Sequence, residues 1–200
     1  MLKPMNTNTK NLARSPDLMT PEDTVLLVVD VQEKLMPLIA GARRITWNLR
    51  RLLDGAQAVG LKALATEQYP QGLGGTLPEL AERLGTIPSK ATFSCGGCEP
   101  FVNQLIQLPA NKVMVSGIEA HVCVQQTVLD LLASGYRVYV PVDAVGSRYA
   151  VDFETGLKRM ESAGATLTTT ESALFEWCQV SGTPTFKKIS ALVREKPPEE

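Results

Sequence analysis

The sequence has few of the features that mark specialised classes of protein. Its longest strongly apolar run, Thr24–Val31, is much shorter than the roughly 20 residues that a membrane-spanning helix needs. The 20 basic and 21 acidic residues of the 200-residue chain nearly cancel, so no basic stripe is available to bind a phosphate backbone. These absences predict a protein that engages neither a membrane nor a nucleic acid.

Histidine is scarce and the common nucleotide-binding motifs are missing. His121 is the one histidine of the chain, which rules out a two-histidine metal site and a catalytic cysteine paired with a second histidine. The sequence has no GxGxxG and no GxxxxGK[ST] motif, so nucleotide binding has no motif support. We therefore expect no metal and no cofactor.

Cysteine is also infrequent, and the N-terminal segment has no apolar region of the kind found in secretory signal peptides. The chain carries four cysteines, which are Cys95, Cys98, Cys123 and Cys178. This combination is typical of free thiols in a reducing compartment. We expect a cytoplasmic protein.

Strand and helix patterns alternate along most of the chain. The apolar run Thr24–Asp30 is typical of a strand that is buried on both faces of a parallel sheet. Ala42–Val59 has apolar residues near helical spacing and is followed by Gly60 as a stop. The alternation predicts an α/β fold, with a doubly wound, mainly parallel sheet and helices on both faces.

The length of the chain suits one globular domain. We expect a flexible N-terminal tail at residues 1–20 and a single domain at residues 21–181. Residues 182–200 are rich in Pro, Lys and Glu. They are predicted to form a C-terminal extension beyond the core, in the manner of an arm that reaches a neighbouring copy.

Three reactive side chains follow predicted strands. Asp30 ends the first strand, Lys90 follows the third, and Cys123 follows "VMVSG" and opens a helix. Sites in open α/β sheets form at the carboxyl ends of the strands, so these residues are candidates for one site. The helix N-terminus is expected to lower the pKa of the Cys123 thiol, and its N–H groups could hold an oxyanion.

Each of these residues also has a simpler interpretation. Cys123 could be a small buried apolar side chain, Asp30 could cap a helix or pair with Lys34, and Lys90 could be a solvated surface residue. In the catalytic interpretation, Asp30 is the general base for the thiol and Gln32 orients it. Lys90 then stabilises both anions.

The stretch "CGGC" at Cys95–Cys98 is a CxxC motif. Zinc needs four ligands, and the sequence offers no second CxxC and no histidine pair, while a redox CxxC should open a helix directly after a strand. A glycine-bearing loop that borders a pocket fits better. A thiol redox protein that uses Cys95 and Cys98 is kept as a further alternative.

Several stretches resemble the isochorismatase-like cysteine hydrolases. They are "LLVVDVQEKL", the lysine of "PSKATFS", and "VSGIEAHVCVQQTVLDLLASGYRVYVPVDAVGS", and the similarity covers roughly residues 22–178. The segment "TEQYPQGLGGTLPEL" is similar to one subgroup, the isochorismatase domain-containing proteins. The resemblance implies a doubly wound α/β domain with an Asp30–Lys90–Cys123 triad.

The resemblance also implies a mechanism. Asp30 would be the base, Lys90 the charge stabiliser, and Cys123 the nucleophile that forms a thioester with the carbonyl carbon of a C–N bond. A cis peptide bond at Ile118–Glu119 would aim the N–H groups of Glu119 and Cys123 at the oxyanion. Isochorismatases proper depart from the cysteine nucleophile, so Cys123 argues against cleavage of isochorismate itself.

Nicotinamidases of this family bind a metal through an Asp and His residues after the second strand, where this chain has "TEQYPQGLGG" and no histidine. The prediction is therefore a metal-independent cysteine hydrolase for a small-molecule amide or related C–N bond. Family members commonly form dimers or larger assemblies, so we expect a homo-oligomer. The candidate walls of the substrate pocket are Gln32, Leu35, Tyr69, Phe93 and His121.

The alternative is a catalytically silent member of the family that acts by binding a partner. The bulky acid Glu119 at the oxyanion turn supports this alternative, because an acid that points into the pocket would repel carboxylate substrates. The charged C-terminal segment at residues 182–200 is its second support.

Overall fold

A computed structural model describes residues 12–199 of the chain. The first eleven residues of the predicted tail at 1–20 lie outside this range. Within it, the Arg14 guanidinium donates to the carbonyl of Glu176, and Met19 is fully buried. The chain is therefore attached to the domain well before residue 20, and the part of the tail that is described is not free.

A seven-stranded parallel sheet forms the centre of the molecule. Its strands are β1 (Thr24–Val29), β2 (Lys62–Gln68), β3 (Ser89–Lys90), β4 (Lys112–Ile118), β5 (Arg137–Pro141), β6 (Val145–Gly146) and β7 (Thr166–Thr168). Their order is β3-β2-β1-β4-β5-β7, and β6 pairs with β4. Every pairing between these strands is parallel. The predicted α/β fold with a doubly wound parallel sheet is confirmed.

Helices cover both faces of the sheet, as predicted. They are α1 (Ala42–Val59), α2 (Pro70–Leu73), α3 (Pro78–Ala81), α4 (Glu99–Ile106), α5 (Gln125–Ala133), α6 (Ala150–Ser162), α7 (Thr170–Cys178) and α8 (Pro184–Val193). Short 3-10 turns lie at Met36–Leu38 and Cys95–Gly97, and a π-helical turn lies at Ala120–Val124. None of the helices within residues 12–199 is long and apolar enough to cross a membrane.

Strand β1 is buried along its whole length because both of its faces are covered. Leu26 and Val28 belong to the apolar cluster under α1 and α7, whereas Val25, Leu27 and Val29 belong to the cluster under α4, α5 and α6. Successive side chains of a strand point to opposite faces. An unbroken apolar run is thus what a central strand between two helical layers requires, and burial of each side chain contributes about 1.5–3 kcal/mol.

Helix α8 lies within the segment that the sequence suggested as an arm. Ile189 is fully buried in the same apolar cluster as α1 and α7, and the Arg51 guanidinium donates from Nε to the carbonyl of Leu192 at 3.0 Å. Residues 184–193 therefore complete the layer on one face of the sheet. The expectation that this segment lies beyond the core is wrong, because α8 has an apolar face that this layer buries.

The order in which the chain adds strands to the sheet reverses between β1 and β4. From β1 the chain adds β2 and β3 on one side, and then returns to place β4 and the later strands on the other side. In open α/β sheets, ligands bind in the crevice at the carboxyl ends of the strands at such a switch point. Residues that directly follow β1 and β4 are therefore at the expected position of a site.

The approach of β4 to β1 depends on Gly117. This residue has φ +110°, and a Cβ built on it would lie 2.1 Å from the backbone oxygen of Val29. A side chain at this position would push the two strands apart. Glycine here lets the turn that follows β4 lie directly beside Asp30, the residue after Val29.

Candidate active site

Asp30 directly follows β1 and is fully buried. Its backbone is in the left-handed region, with φ +53°, a conformation that Asp tolerates better than most residues. Its carboxylate accepts two hydrogen bonds, from Thr66 Oγ1 to Oδ1 at 2.9 Å and from Lys90 Nζ to Oδ2 at 2.6 Å. Asp30 therefore neither caps a helix nor pairs with Lys34, which donates instead to the carbonyl of Gly72.

Lys90 ends β3, and its side chain is as buried as that of Asp30. Besides Asp30, its ammonium donates to Gln68 Oε1 at 2.8 Å and to the carbonyls of Thr92 and Phe93 at 3.1 and 2.9 Å. Several oxygens thus replace the water that the charge has lost. The interpretation of Lys90 as a solvated surface residue is wrong.

Cys123 lies in the π-helical turn Ala120–Val124, which leads into α5. It is 7% exposed, and its thiol lies close enough to the Asp30 carboxylate for that carboxylate to raise its pKa. The peptide bond Ile118–Glu119, at the entry to this turn, is cis, which confirms the prediction for that bond. The sequence predicted a regular helix from Val122 onwards. The structure has a π-helical turn there instead, and this turn places the thiol beside Asp30.

The two acidic groups of the site hold their protons more tightly than they would in water. Burial raises the pKa of Cys123 above its usual range, the nearby Asp30 carboxylate raises that pKa further, and Lys90 opposes both. Burial also raises the pKa of Asp30, against the opposing charge of Lys90. The prediction of a lowered thiol pKa is wrong for the resting protein, since burial and the Asp30 charge outweigh the helix end.

Thr66 and Gln68 belong to the site, and the sequence did not single them out. Both lie near the carboxyl end of β2, next to β1. Thr66 fixes one oxygen of Asp30, and Gln68 holds Lys90 while donating to the carbonyl of Ala91 at 2.9 Å. Polar residues at the carboxyl end of the strand beside β1 were the signal that could have found them.

Gln32 does not contact the Asp30 carboxylate with its side chain, contrary to the prediction that it orients this group. Its amide nitrogen donates to the carbonyls of Gln68 and Gly74 at 2.9 and 2.7 Å, and its Oε1 accepts from the backbone N–H of Gln68 at 2.7 Å. Gln32 is fully buried. These hydrogen bonds connect the end of β2 to the loop that follows it, next to the site.

The other candidate pocket residues differ in exposure. Tyr69 and Phe93 are 60% and 54% exposed, although their backbones contact Lys90. Leu35 is half-buried and packs against the apolar cluster under α1. His121 is half-buried, with Nδ1 3.0 Å from Ser147 Oγ and Nε2 3.8 Å from an oxygen of Asp152.

Glu119 is paired with a cation. Its Oε2 accepts from both the backbone N–H and Nε of Arg148 at 3.1 Å, and its side chain is only 12% exposed. Its negative charge is therefore compensated. The repulsion of carboxylates that the sequence suggested for an acid at this turn is removed by Arg148.

The two cysteines of the CGGC motif have separate environments. Cys95 Sγ lies 3.3 Å from Thr66 Oγ1, and Cys98 Sγ lies 3.7 Å from the carbonyl of Ser89. Both are buried free thiols. Within residues 12–199, no group of three or more His, Cys, Asp and Glu side chains could hold a metal ion.

The carboxyl edge of the sheet thus brings together a thiol, a carboxylate and an ammonium on a doubly wound α/β frame. The sequence profile of a known family, the isochorismatase domain, matches residues 24–172 of the chain. The chain belongs to this family, and its membership supports a hydrolase activity.

Individual relatives agree with this assignment. Isochorismatase domain-containing protein 2A of Mus musculus is 38% identical over 180 residues, covering 90% of this chain and 86% of the mouse protein. The secreted isochorismatase effector Isc1 of Phytophthora sojae is 34% identical over 197 residues, covering 96% and 92%. Among solved structures, the MAR1 ribonuclease of Caenorhabditis elegans has 40% identity and a TM-score of 0.84, covering 90% of this chain and 94% of the nematode chain.

Proposed function

We propose that the chain is a metal-independent cysteine hydrolase that acts on a small amide or a related C–N bond through a thioester. The observation that carries the proposal is the position of the buried Cys123 thiol beside a buried carboxylate that Lys90 holds at 2.6 Å. A buried carboxylate with a raised pKa can accept a proton from a nucleophile and return it later.

In the first half of the proposed reaction, Asp30 takes the proton of Cys123 while the sulfur attacks the carbonyl carbon. The negative oxygen of the tetrahedral intermediate is held by the backbone N–H groups of Glu119 and Cys123. Asp30 then gives its proton to the leaving nitrogen, and the C–N bond breaks to leave a thioester on Cys123. The Lys90 ammonium donates to the carboxylate and stabilises it whenever Asp30 is ionised.

In the second half, water replaces the amine. Asp30, again ionised, takes a proton from the water as its oxygen attacks the thioester carbonyl. The carboxylic acid leaves when the C–S bond breaks, and Asp30 returns the proton to the Cys123 sulfur. The raised pKa of both groups suits this exchange, because the proton rests on sulfur and moves to Asp30 only when the nucleophile is used.

The substrate pocket is proposed to open between Tyr69, Phe93 and His121, with Leu35 at its inner wall. Aromatic side chains that remain exposed beside a buried polar site fit a small ligand with an apolar part.

A homo-oligomer remains our expectation, and light scattering in solution measures it. A cytoplasmic location also remains a prediction.

The non-catalytic alternative has less support than it had from the sequence. Glu119 is neutralised by Arg148, and the C-terminal segment packs on its own domain through α8. The two features that suggested a binding protein therefore have structural explanations that need no partner.

Ribonuclease activity, named for the nematode relative, is a second candidate that we rank lower. RNA binding rests mainly on clustered positive charge, and this chain has a formal net charge of −1. Incubating labelled RNA with the wild-type protein and with Cys123→Ala tests it directly. Cleavage that survives in Cys123→Ala would place any such activity outside the proposed site.

The proposal is tested by screening small primary amides, N-substituted amides and ureas for release of ammonia or amine. For any substrate found, Cys123→Ala should lower kcat by at least about 10³-fold, since removing a nucleophile abolishes its covalent route. Cys98→Ala is the matched control, because Cys98 is also a buried cysteine but faces Ser89. Turnover retained in Cys123→Ala would refute the assignment.

A further inference from the structure

Cys95 is a second thiol within the site that the proposed hydrolysis does not use. It lies on the 3-10 turn Cys95–Gly97 and is fully buried. Its sulfur is 3.3 Å from Thr66 Oγ1, and the same hydroxyl donates to Asp30 Oδ1 at 2.9 Å. Thr66 therefore links Cys95 to the carboxylate that raises the pKa of the Cys123 thiol.

A second hydroxyl links the backbones of the two cysteines. Thr127 Oγ1 accepts from the backbone N–H of Cys95 at 2.9 Å and donates to the carbonyl of Cys123 at 2.7 Å. The two residues are thus joined through Thr127 on the backbone side and through Thr66 and Asp30 on the side-chain side. Two thiols whose backbones are bridged by one hydroxyl, and of which one is linked through Thr66 to the carboxylate beside the other, are candidates for a disulfide, which needs Cα atoms about 4.4–6.8 Å apart.

We propose that Cys95 and Cys123 form a redox modification site, in which Cys95 resolves an oxidised Cys123. A hydroperoxide transfers oxygen to the Cys123 sulfur, which loses two electrons and becomes a sulfenic acid, while the peroxide is reduced to water or an alcohol. The Cys95 sulfur then attacks the Cys123 sulfur. The S–O bond breaks, the Cys95 proton leaves with the hydroxyl as water, and an intramolecular disulfide remains.

The two cysteines differ in the way that this order requires. Cys123 retains 7% exposure, whereas Cys95 has none. Burial and the Asp30 charge raise the pKa of both thiols, so the order of oxidation rests on this difference in exposure to peroxide. Cys95 is therefore suited to react only with a neighbour that is already oxidised, and the disulfide would protect Cys123 from irreversible oxidation.

The sequence paired Cys95 with Cys98 in the CxxC motif, and the structure offers a different partner. Cys98 Sγ faces the carbonyl of Ser89 rather than Thr66 or Asp30. The predicted disulfide is therefore Cys95–Cys123. This inference goes beyond hydrolysis, because it requires only that Cys123 be oxidisable and not that any amide be cleaved.

The test treats the full-length protein with hydrogen peroxide, blocks remaining thiols with N-ethylmaleimide under denaturing conditions, and maps the peptides without reduction. We expect a linked Cys95–Cys123 peptide that dithiothreitol removes. In Cys95→Ser we expect Cys123 to pass to sulfinic acid, which dithiothreitol does not reverse. Cys98→Ser is the matched control and should behave like the wild-type protein.

Four results would overturn the proposal: a Cys95–Cys98 disulfide, a disulfide through Cys178, sulfinic acid at Cys123 in the wild type at the rate seen in Cys95→Ser, or no oxidation at Cys123. The peptide map of the wild-type protein does not depend on whether any variant folds. Because the readout is a covalent bond and no substrate is involved, failure here is distinct from failure of the hydrolase proposal.

Discussion

Two Lys–Asp pairs lie at opposite ends of the strands of the same sheet, and their difference shows what distinguishes the pair that we propose to be catalytic from a structural one. Lys112, the first residue of β4, binds Asp23 at 2.6 Å at the amino edge, and Lys90 binds Asp30 at the same distance at the carboxyl edge. Both lysines are buried. The distances alone do not separate the two pairs.

Burial and neighbours do separate them. The Asp23 side chain is 31% exposed, and its oxygens also accept from Thr24 Oγ1 and the backbone of Thr20. Although partial burial raises the pKa of Asp23, the hydrogen bonds from Lys112, Thr24 and Thr20 outweigh it, so the pKa is lowered. Asp30 has no exposed side-chain surface, and burial raises its pKa. The Cys123 thiol lies beside the Lys90–Asp30 pair, so a proton held by Asp30 can take part in the proposed reaction.

The largest expected difference comes from removing each carboxylate. Asp30→Asn should lower kcat on an amide by about 10²–10⁴-fold, since a general base and acid is lost. Any loss of stability should be modest, on the order of 1 kcal/mol, because Lys90 keeps its bonds to Gln68 and to the carbonyls of Thr92 and Phe93. Asp23→Asn should leave kcat within about twofold and should reduce stability, because the lowered pKa of Asp23 means that the folded state favours its ionised form. Kinetics and thermal unfolding measure both.

Instability could by itself reduce the activity of Asp30→Asn. The double variant Asp30→Asn/Lys90→Gln removes both charges and should recover stability without recovering turnover. Recovery of activity in the double variant would show that the carboxylate is not the proton carrier.

The second difference is in the response to acid. On acidification, Asp30 takes up its proton at a pH above the ordinary Asp pKa of about 3.9, so kcat/KM should fall there while the protein remains folded. Protonation of a group with a raised folded-state pKa favours the folded state, so Asp30 does not drive acid unfolding. Asp23 has a lowered pKa, and its contribution to stability is lost only at lower pH, as the pH falls through that pKa.

Parallel profiles of kcat/KM and of Tm against pH check this order. Activity should decline first and unfolding should follow. Coincident loss of activity and fold would mean that Asp30 is not the titrating group.

The smallest expected difference concerns the hydroxyl beside each carboxylate. Thr66→Val removes the donor to Asp30 Oδ1 and should lower kcat about tenfold, the size expected for a hydrogen bond to a charged group, with KM little changed. Thr66→Ser should restore it. Thr24→Val removes the matching hydroxyl at Asp23 and should leave kcat unchanged. Equal effects at Thr66 and Thr24 would indicate a structural role for both.

The same comparison shows how far the sequence can be read. The strand that ends in Asp30 was predictable because a central parallel strand needs an apolar run on both faces, and α1 was predicted with the bounds it has. The order of Asp30, Lys90 and Cys123 after strands, together with the family resemblance, pointed to three residues that the structure brings together.

Other features depend on tertiary contacts that have no local pattern. The π-helical turn before α5 has an ordinary helical sequence. By contrast, α8 has local helix signals, because the Thr183 side chain accepts from the Phe186 N–H and Pro184 begins the helix; only its packing on α1 and α7 depends on tertiary contacts. The direction of the Cys123 pKa shift depends on total burial, which helix-end arguments leave out. The roles of Thr66 and Gln32 follow from register between strands and loops, which sequence alone does not give.

The most direct test of the account is to locate the covalent intermediate. The wild-type protein is mixed with p-nitrophenyl acetate, quenched in acid within the first turnover, and mapped by peptide mass spectrometry, with Cys98→Ala and Cys123→Ala in parallel. The account predicts an acetyl group on Cys123 in the wild type and in Cys98→Ala, and none on that peptide in Cys123→Ala. Release of p-nitrophenol by the wild type and Cys123→Ala at equal rates, with no acyl group on Cys123, would contradict it.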